Sequence, residues 1–258
     1  MLDNSKYFLV DLNEGIVTVS LNRPTKSNAL NLDMWWEMKS IFEELAKDDN
    51  LKVVLLTADG KNFSAGMDLS SFGEIPKLIA DPDPIIAEQN LKAFIQRLQS
   101  SISAIEACPV PVIGVVHGAC IGGGINILAA CDLRYCSADA YFSIKEVDLG
   151  IIADLGAIQR LPASIGLNTI AEWSYTGRKI FSEEAKTTGL VNAVYEDQIK
   201  LNAETQALAK QIATKTPSAI RGLKQLIMQQ RDMSITQSLE VIAQHNAKLF
   251  LNLPVFKN

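Results

Sequence analysis

The sequence predicts a layered α/β fold followed by a helical C-terminal region. Short apolar runs typical of buried strands alternate with segments of helical periodicity up to about residue 137. This alternation implies right-handed β–α–β crossovers. After about residue 165, strand signals become sparse and helical patterns dominate. We therefore divide the chain into an α/β core, residues 1–195, and a helical oligomerisation region, residues 196–258.

The strand predictions rest on short, mostly apolar runs bounded by turn-forming residues. The first two runs are separated by Asn13-Glu14-Gly15, which predicts a hairpin turn. The predicted strands are 7–12, 16–21, 52–57, 110–116 and 133–137.

The helix predictions rest on apolar residues at helical spacing, with start signals at Asp33 and at Thr216-Pro217-Ser218, where Thr216 or Ser218 is expected to cap. Three prolines in residues 74–84 predict a mobile surface loop instead. The predicted helices are 33–47, 85–106, 124–130, 201–213, 218–230 and 235–250.

Composition narrows the class of protein. The chain has 258 residues, of which 48% are hydrophobic, and a formal net charge of -5. An acidic surface argues against a general nucleic-acid or anionic-membrane partner, because phosphate binding needs clustered Lys and Arg. The longest uncharged apolar stretch, residues 108–131, is interrupted by prolines and glycines, so no membrane span is expected. Without a signal-peptide pattern at the start or a peroxisomal address at the end, we predict a cytoplasmic protein.

Cysteine and histidine usage predicts no metal site. The four cysteines form no CxxC pair, and each lies in apolar sequence, so buried reduced thiols are expected. The two histidines, His117 and His245, are too few for a histidine-rich metal centre. Neither lies in the context of a nucleophile elbow, so a Ser-His-Asp triad is not indicated. His117 is interpreted as structural.

Two segments rich in small residues follow predicted strands. They are Phe63–Leu69, FSAGMDL, and Gly118–Gly124, GACIGGG. Glycines let the backbone approach a ligand closely, and a helix start exposes unpaired N–H donors. Two such segments can present two amides to one oxygen, an oxyanion hole worth about 3–4 kcal/mol per donor. Each segment alone is also common for purely structural reasons. No dinucleotide or P-loop motif is present.

A third segment, Phe142–Gly156, carries Glu146 and Asp154 among largely apolar residues. A carboxyl group in such surroundings has a raised pKa and can exchange a proton near neutral pH. The alternatives for each acid are a solvated loop charge or a structural ion pair. Asp154 could also simply cap a helix that starts at Leu155.

These segments occur in the order FSAGMDL, HGACIGGG, ACDLRYCS and EVDLGIIADLGAIQRLP, and together they resemble the crotonase (enoyl-CoA hydratase/isomerase) superfamily. The resemblance covers nearly the whole chain. It implies the ClpP/crotonase spiral of ββα units, with a helical trimerisation region at the C-terminus and a homotrimer or homohexamer. It also implies an acyl-CoA substrate and no cofactor, since coenzyme A is part of the substrate.

The resemblance also implies roles for particular residues. The oxyanion donors map onto the backbone amides of Met67 and Gly123, and Glu146 and Asp154 map onto catalytic acids. The positions expected to bind coenzyme A or the acyl group are Lys26, Ala29, Ala65, Gly66, Asp68, Leu69, Gly124 and Asn126.

The spacing of Glu146 and Asp154 resembles the dienoyl-CoA isomerases, which convert a 3,5-diene to a 2,4-diene. The chain departs from them at Asn126, where they carry an aspartate, and from the hydratases, which carry a glutamate. A hydratase that uses Glu146 while Asn126 orients the water remains an alternative. An acyl-CoA-binding protein without chemistry, or an RNA-binding member, is the third hypothesis. Asn126 itself could orient Glu146 or a water, or simply pack.

The remaining polar and aromatic candidates are interpreted as structural. Asp68 is expected to form an Asx-type turn beside its binding role. Asp132 is expected to pair with Arg134 or to cap locally. Trp35 and Trp36 on the first helix are expected to pack rather than stack on a ligand.

Overall fold

The computed structural model describes residues 5–252. Two sheets carry the strands. The larger has the order β1-β2-β3-β4-β6-β9, in which only the β1–β2 hairpin is antiparallel, and the smaller has the order β5-β7-β8. The strands are β1 (Phe8–Asn13), β2 (Ile16–Leu21), β3 (Val53–Ala58), β4 (Val112–Val116), β5 (Ala119–Ile121), β6 (Leu133–Ser137), β7 (Tyr141–Ser143), β8 (Ile180–Phe181) and β9 (Ala193–Tyr195).

Eleven α-helices lie within the described residues, with short 3₁₀ turns between some of them. The helices are α1 (Leu32–Leu45), α2 (Ile75–Leu78), α3 (Pro84–Glu106), α4 (Gly123–Ala129), α5 (Ala157–Arg160), α6 (Pro162–Ile165), α7 (Leu167–Thr176), α8 (Ser182–Thr188), α9 (Gln198–Ala213), α10 (Pro217–Gln229) and α11 (Ile235–Asn252).

The core of the fold repeats a strand–strand–helix unit. In β4–β5–α4, the first strand joins the larger sheet and the second turns into the smaller one. The pair β6–β7 repeats this step, and its second strand lies parallel to β5, with Ala119 opposite Tyr141. This is the spiral of ββα units that the resemblance implied.

Both faces of the larger sheet are apolar, because successive side chains along a strand point to opposite faces. On β3, Val54 and Leu56 join the main core, and Val53 and Leu55 point to the other face. Helix α9 covers that second face through the fully buried Leu201 and other apolar side chains. The first helix after residue 195 is therefore packed on the sheet. The division of the chain into two regions stays a prediction.

Helix α10 is fixed to the core by two cations, Arg221, which donates to the carbonyls of residues 48, 49 and 51, and the buried Lys224. Lys224 Nζ donates to Asp132 Oδ2 at 2.7 Å and to the Val110 carbonyl at 2.9 Å. The predicted pairing of Asp132 with Arg134 is wrong. Asp132 instead accepts from the Val112 amide and from Lys224, and Arg134 donates to the Leu190 carbonyl.

The other differences from prediction are local. Strands β5, β7, β8 and β9 were not predicted, because two or three residues are too few to show a period. The proline-containing segment 74–84 includes α2, and Pro84 begins α3. At the start of α10, Thr216 occupies the N-cap position, but no side-chain cap hydrogen bond forms.

The cysteines and His117 are structural. All four thiols are free and buried, and burial raises the pKa of Cys131 and Cys136 to about 12. His117 Nε2 lies 2.8 Å from the Gly60 carbonyl, as expected for a satisfied histidine. Among residues 5–252, no helix is both long and apolar enough to cross a membrane. Within the same range, no three His, Cys, Asp or Glu side chains are arranged to hold a metal ion.

Candidate active site

The two segments of small residues run side by side. The Ser64 amide donates to the Ala119 carbonyl at 2.9 Å, and the Ile121 amide donates to the Ser64 carbonyl at 3.0 Å. These bonds bring the segment after β3 against β5, as the oxyanion-hole hypothesis requires.

Gly66 lets the backbone of the segment after β3 lie close to residues 121–123. Its φ is +90°, and a Cβ placed there would lie 2.9 Å from the Ile121 carbonyl oxygen and 3.5 Å from the Gly123 nitrogen. A side chain is therefore excluded both by the backbone conformation and by the space. The consequence is that Met67, the next residue, lies beside the start of α4.

The amides of Met67 and Gly123 are uncommitted. No described residue accepts a hydrogen bond from either, whereas the neighbouring Asp68 amide donates to the Leu30 carbonyl at 2.9 Å. Gly123 begins α4, so its N–H has no acceptor within the helix. A Cβ on Gly123 would lie 3.0 Å from the Trp35 ring, so the buried tryptophan packs beneath this turn. Two free amides on touching segments can bind one oxyanion.

Glu146 lies at the start of a 3₁₀ turn. It faces residues 122–124, called the glycine turn below. Its Oε1 accepts from Asn126 Nδ2 at 3.0 Å. A Cβ placed on Gly122 would lie 3.8 Å from the same oxygen. Its Oε2 is buried and has no hydrogen-bond partner among the described residues. One oxygen is thus held while the other is free to exchange a proton.

Burial raises the pKa of Glu146, and the nearby charge of Asp154 raises it further, while hydrogen bonds from its own backbone amide, from Asn126 and from the Lys145 amide lower it. Burial also raises the pKa of Asp154. No Lys or Arg side chain among residues 5–252 forms an ion pair with either carboxylate. The interpretation of either acid as part of a structural ion pair therefore does not hold for the described residues.

The backbone around Asp154 is fixed at three points. Gln99 Nε2 donates to the Asp154 carbonyl at 2.7 Å, and Arg160 Nη1 donates to the Leu155 carbonyl at 3.4 Å. The Ala157 amide donates to Asn126 Oδ1 at 2.8 Å. Helix α5 starts at Ala157, after Gly156, so the alternative that Asp154 caps a helix at Leu155 is wrong. The Asp154 carboxyl group therefore lies on a loop and not at the start of a helix.

Asn126 is fully buried on α4 and does not point into open space. Its Nδ2 donates to the Gly122 carbonyl and to Glu146, both at 3.0 Å, and its Oδ1 accepts from Ala157. Of the alternatives left open for this residue, the structure shows the one in which it contacts Glu146.

Two of the segments expected to bind coenzyme A are joined by one side chain. Arg23 Nη1 donates both to the Ala29 carbonyl and to Asp68, which joins the Lys26–Ala29 turn to the Ala65–Leu69 segment. The Arg23 guanidinium, with the hydroxyl and amide of Ser70, lowers the pKa of Asp68 to about 2. The Asp68 side chain also accepts from the Ser70 amide, which is the predicted Asx-type turn. Gly124 packs against Ser64, so it shapes the turn.

Sequence reasoning missed Arg23 and Gln99. The Asp68 carboxylate that Arg23 contacts lies 45 residues away, and Gln99 reaches Asp154 across 55 residues. Gln99 also lines a cavity of about 400 Å³ beside Asp154. The other lining residues are Ser103, Glu106, Leu155, Gly156, Gln159, Arg160 and Arg231.

Comparison with known proteins identifies the class. The model of the enoyl-CoA hydratase/isomerase family matches residues 11–253, and the chain belongs to that family. The expected crotonase fold and the class of crotonase-type enzyme are thereby confirmed.

Two relatives with a named activity are similar over most of the chain. A peroxisomal Delta(3,5)-Delta(2,4)-dienoyl-CoA isomerase of Arabidopsis thaliana is 39% identical over 90% of this chain and 84% of its own length. The mitochondrial protein of that name from Rattus norvegicus is 38% identical, over 94% of this chain and 75% of its own.

Solved structures agree on the fold. An enoyl-CoA hydratase from Bacillus anthracis superposes with a TM-score of 0.84 at 30% identity, over 94% of this chain and 90% of that one. A Thermobifida fusca YX protein in complex with acetoacetyl-CoA has a TM-score of 0.86 at 26% identity, over 96% of each chain.

Proposed function

We propose that the protein isomerises 3,5-dienoyl-CoA thioesters to 2,4-dienoyl-CoA thioesters. The observation that carries the proposal is a pair of carboxyl groups, Glu146 and Asp154, whose pKa values are both raised by burial. They accompany two uncommitted amides on touching segments. The named activity of the Arabidopsis and rat relatives supports the same reaction.

The chemistry needs one proton acceptor and one proton donor. Glu146, through its free Oε2, takes a proton from C2 of the substrate. The electron pair moves toward the thioester oxygen, where the amides of Met67 and Gly123 stabilise the dienolate. Asp154 then gives a proton to C6, and the double bonds move from positions 3 and 5 to positions 2 and 4. One proton is lost and one is gained, so the reaction is a balanced isomerisation.

Burial suits both carboxyl groups to these roles. A raised pKa makes Glu146 a stronger base than an exposed glutamate, since catalytic efficiency increases as the pKa approaches the working pH. The same effect lets Asp154 keep the proton that it must deliver. The reactive state is the one in which Glu146 is ionised and Asp154 is protonated.

We propose that the two segments joined by Arg23 hold the coenzyme A portion of the substrate. Their residues in this role are Lys26, Ala29, Ala65, Asp68 and Leu69. Lys26 is exposed there and supplies a cation for a phosphate. The acetoacetyl-CoA in the Thermobifida structure supports an acyl-CoA ligand. No separate cofactor is proposed.

Assembly and location remain proposals. Exposed apolar side chains on α10 and α11 support packing against other copies, as a homotrimer or a homohexamer; they include Leu223, Ile227, Leu239 and Ile242. The two isomerase relatives are named as peroxisomal and mitochondrial, so a cytoplasmic location stays a prediction.

Water addition is the second candidate, favoured by the name of the Bacillus neighbour. Asn126 argues against it, because its amide cannot exchange a proton at accessible pH and both its polar atoms contact protein groups. An acyl-CoA-binding protein without chemistry would leave both kinds of thioester unchanged.

A thioester panel separates these functions. Wild type, Glu146→Gln and Asp154→Asn are assayed on 3,5-dienoyl-CoA and on 2-enoyl-CoA, following the absorbance of the conjugated thioester. We expect wild type to convert the 3,5-diene much faster than it hydrates the 2-enoyl substrate, and each variant to lose at least about 10²-fold in kcat. Hydration by wild type with no diene isomerisation would overturn the proposal.

A further inference from the structure

Asn126 is the one side chain among the described residues that hydrogen-bonds both to Glu146 and to the loop after Asp154. It donates to the Glu146 carboxylate at 3.0 Å and accepts from the backbone of Ala157, three residues after Asp154, at 2.8 Å. Its own position is fixed by the carbonyl of Gly122, the N-cap residue of the same helix. A single buried amide therefore ties the glycine turn, Glu146 and the loop of Asp154 together.

The orientation of this amide is determined by its partners. Oδ1 faces an N–H group, and Nδ2 faces a carbonyl and a carboxylate oxygen. A flipped amide would place its oxygen against these two oxygens and its NH₂ against the N–H group, so every hydrogen bond would be lost. Glu146 Oε1 consequently always receives a donor. The oxygen left for the substrate is Oε2, which is buried and unpartnered.

Among the described residues, Asn126 is the one side chain that hydrogen-bonds to the Glu146 carboxylate; the backbone amides of Glu146 and Lys145 also favour its ionised form. Helix α4 has no titratable side chain, and on the 3₁₀ turn itself Lys145 and Asp148 form an ion pair with each other. On α7, which packs against the turn, Glu172 pairs with Arg178. Asp154 is the charged neighbour that acts on Glu146, and its effect disfavours ionisation.

We infer that Asn126 is a positioning residue that favours the ionised form of Glu146, presents its Oε2 to the substrate, and holds the Asp154 loop in register with it. Only the kinetic consequence of this inference rests on the proposed function. A hydrogen bond to the charged form favours that form, and a neutral amide adds no competing proton acceptor. An ionisable group at this position would place a third acid in direct contact with Glu146.

Asn126→Asp is the decisive variant. It is close in shape and keeps an oxygen for the Ala157 amide, but it removes the donor to Glu146. We expect the pKa of Glu146, followed by ¹³C NMR of the carboxyl group in the substrate-free protein, to rise by about one pH unit or more. The acidic limb of kcat/KM on 3,5-dienoyl-CoA should move upward by the same amount, about tenfold in rate at a fixed pH on that limb.

Asn126→Leu covers the case in which a buried aspartate prevents folding. It adds no charge and removes the donor, so the pKa of Glu146 should again rise. Asn28→Asp is the matched control. Asn28 is equally buried and donates to the Asp59 and Asn62 carbonyls, but it does not contact Glu146. We expect that control to leave the pKa of Glu146 unchanged.

The outcomes are distinct. An unchanged pKa of Glu146 in both Asn126 variants, with activity lowered equally at every pH, would mean that Asn126 only packs, and would overturn the inference. If wild type does not isomerise the diene at all, the proposed function fails. The carboxyl titration in the substrate-free protein still decides the role of Asn126 in that case.

Discussion

At the scale of single residues, the proposed chemistry depends on carboxyl groups that folding partly buries. Burial is the largest cause of the raised pKa of both Glu146 and Asp154. Placing an acid where its charged form is disfavoured lowers the stability of the fold, so function and stability oppose each other at these two positions.

This opposition predicts a pH-dependent gain in stability for Glu146→Gln. The folded-state pKa of Glu146 lies above its unfolded value, so ionisation destabilises the wild type as pH rises through that window. The neutral variant does not experience this loss. At pH 7 we expect it to be more stable, on the order of 1 kcal/mol by urea unfolding. The difference should disappear below about pH 4, where the acid is protonated in both states. A variant less stable than wild type at pH 7 would contradict the assignment.

The sequence predicted the acids but not what holds them. Glu146 and Asp154 stood out because they interrupt an apolar run, which is a local signal. Gln99 and Arg23 act on residues 55 and 45 positions away, and nothing in their own neighbourhoods indicates those partners. Long-range hydrogen bonds are fixed by tertiary structure, so such support becomes visible only in three dimensions.

At the scale of elements, the two glycine-bearing turns decide where the amides lie. Gly66 has no room for a Cβ, because the Ile121 carbonyl would be 2.9 Å away, and its φ of +90° is strained for any L side chain. A small shift of this turn moves the Met67 amide away from Gly123, so catalysis should be more sensitive to it than folding is.

Gly66→Ala tests this dependence. We expect kcat to fall by about 10²-fold or more, as for the loss of one oxyanion donor, together with a loss of about 1–3 kcal/mol in stability. Gly73→Ala is the matched control, since an added Cβ there meets nothing within 4 Å and its φ is negative. Activity of Gly66→Ala equal to that of the control would argue against an oxyanion role for this turn.

Elements differed in how well the sequence predicted them. Helices α1 and α3 span several turns, so their apolar spacing placed them within a residue or two of the observed bounds. Strands β5 and β7 have three residues each and form only because the neighbouring ββα unit offers a partner. Their pairing is a tertiary property that no local period reports.

At the scale of the whole molecule, a buried ion pair joins the helical C-terminal part to the sheet. The Lys224 side chain is 6% exposed and reaches Asp132 at the end of the glycine-turn unit. Removing one partner of such a pair leaves an uncompensated charge, whereas removing both does not.

Lys224→Met should therefore cost about 3–5 kcal/mol of unfolding free energy. The double variant Asp132→Asn/Lys224→Met keeps an acceptor for the Val112 amide and should recover a substantial part of that loss. Urea unfolding of the two single variants and the double variant gives the coupling energy directly. Strictly additive effects would show that the pair does not join the two parts.

The central claim is that the Met67 and Gly123 amides meet at one thioester oxygen while residue 146 faces the adjacent carbon. A crystal structure of the Glu146→Gln variant with bound 3,5-dienoyl-CoA measures this directly. We expect the thioester oxygen to lie about 2.7–3.1 Å from both amide nitrogens, with C2 beside the side chain of residue 146 and C6 beside Asp154. A thioester oxygen bound away from either amide, or a C2 facing away from residue 146, would contradict the account.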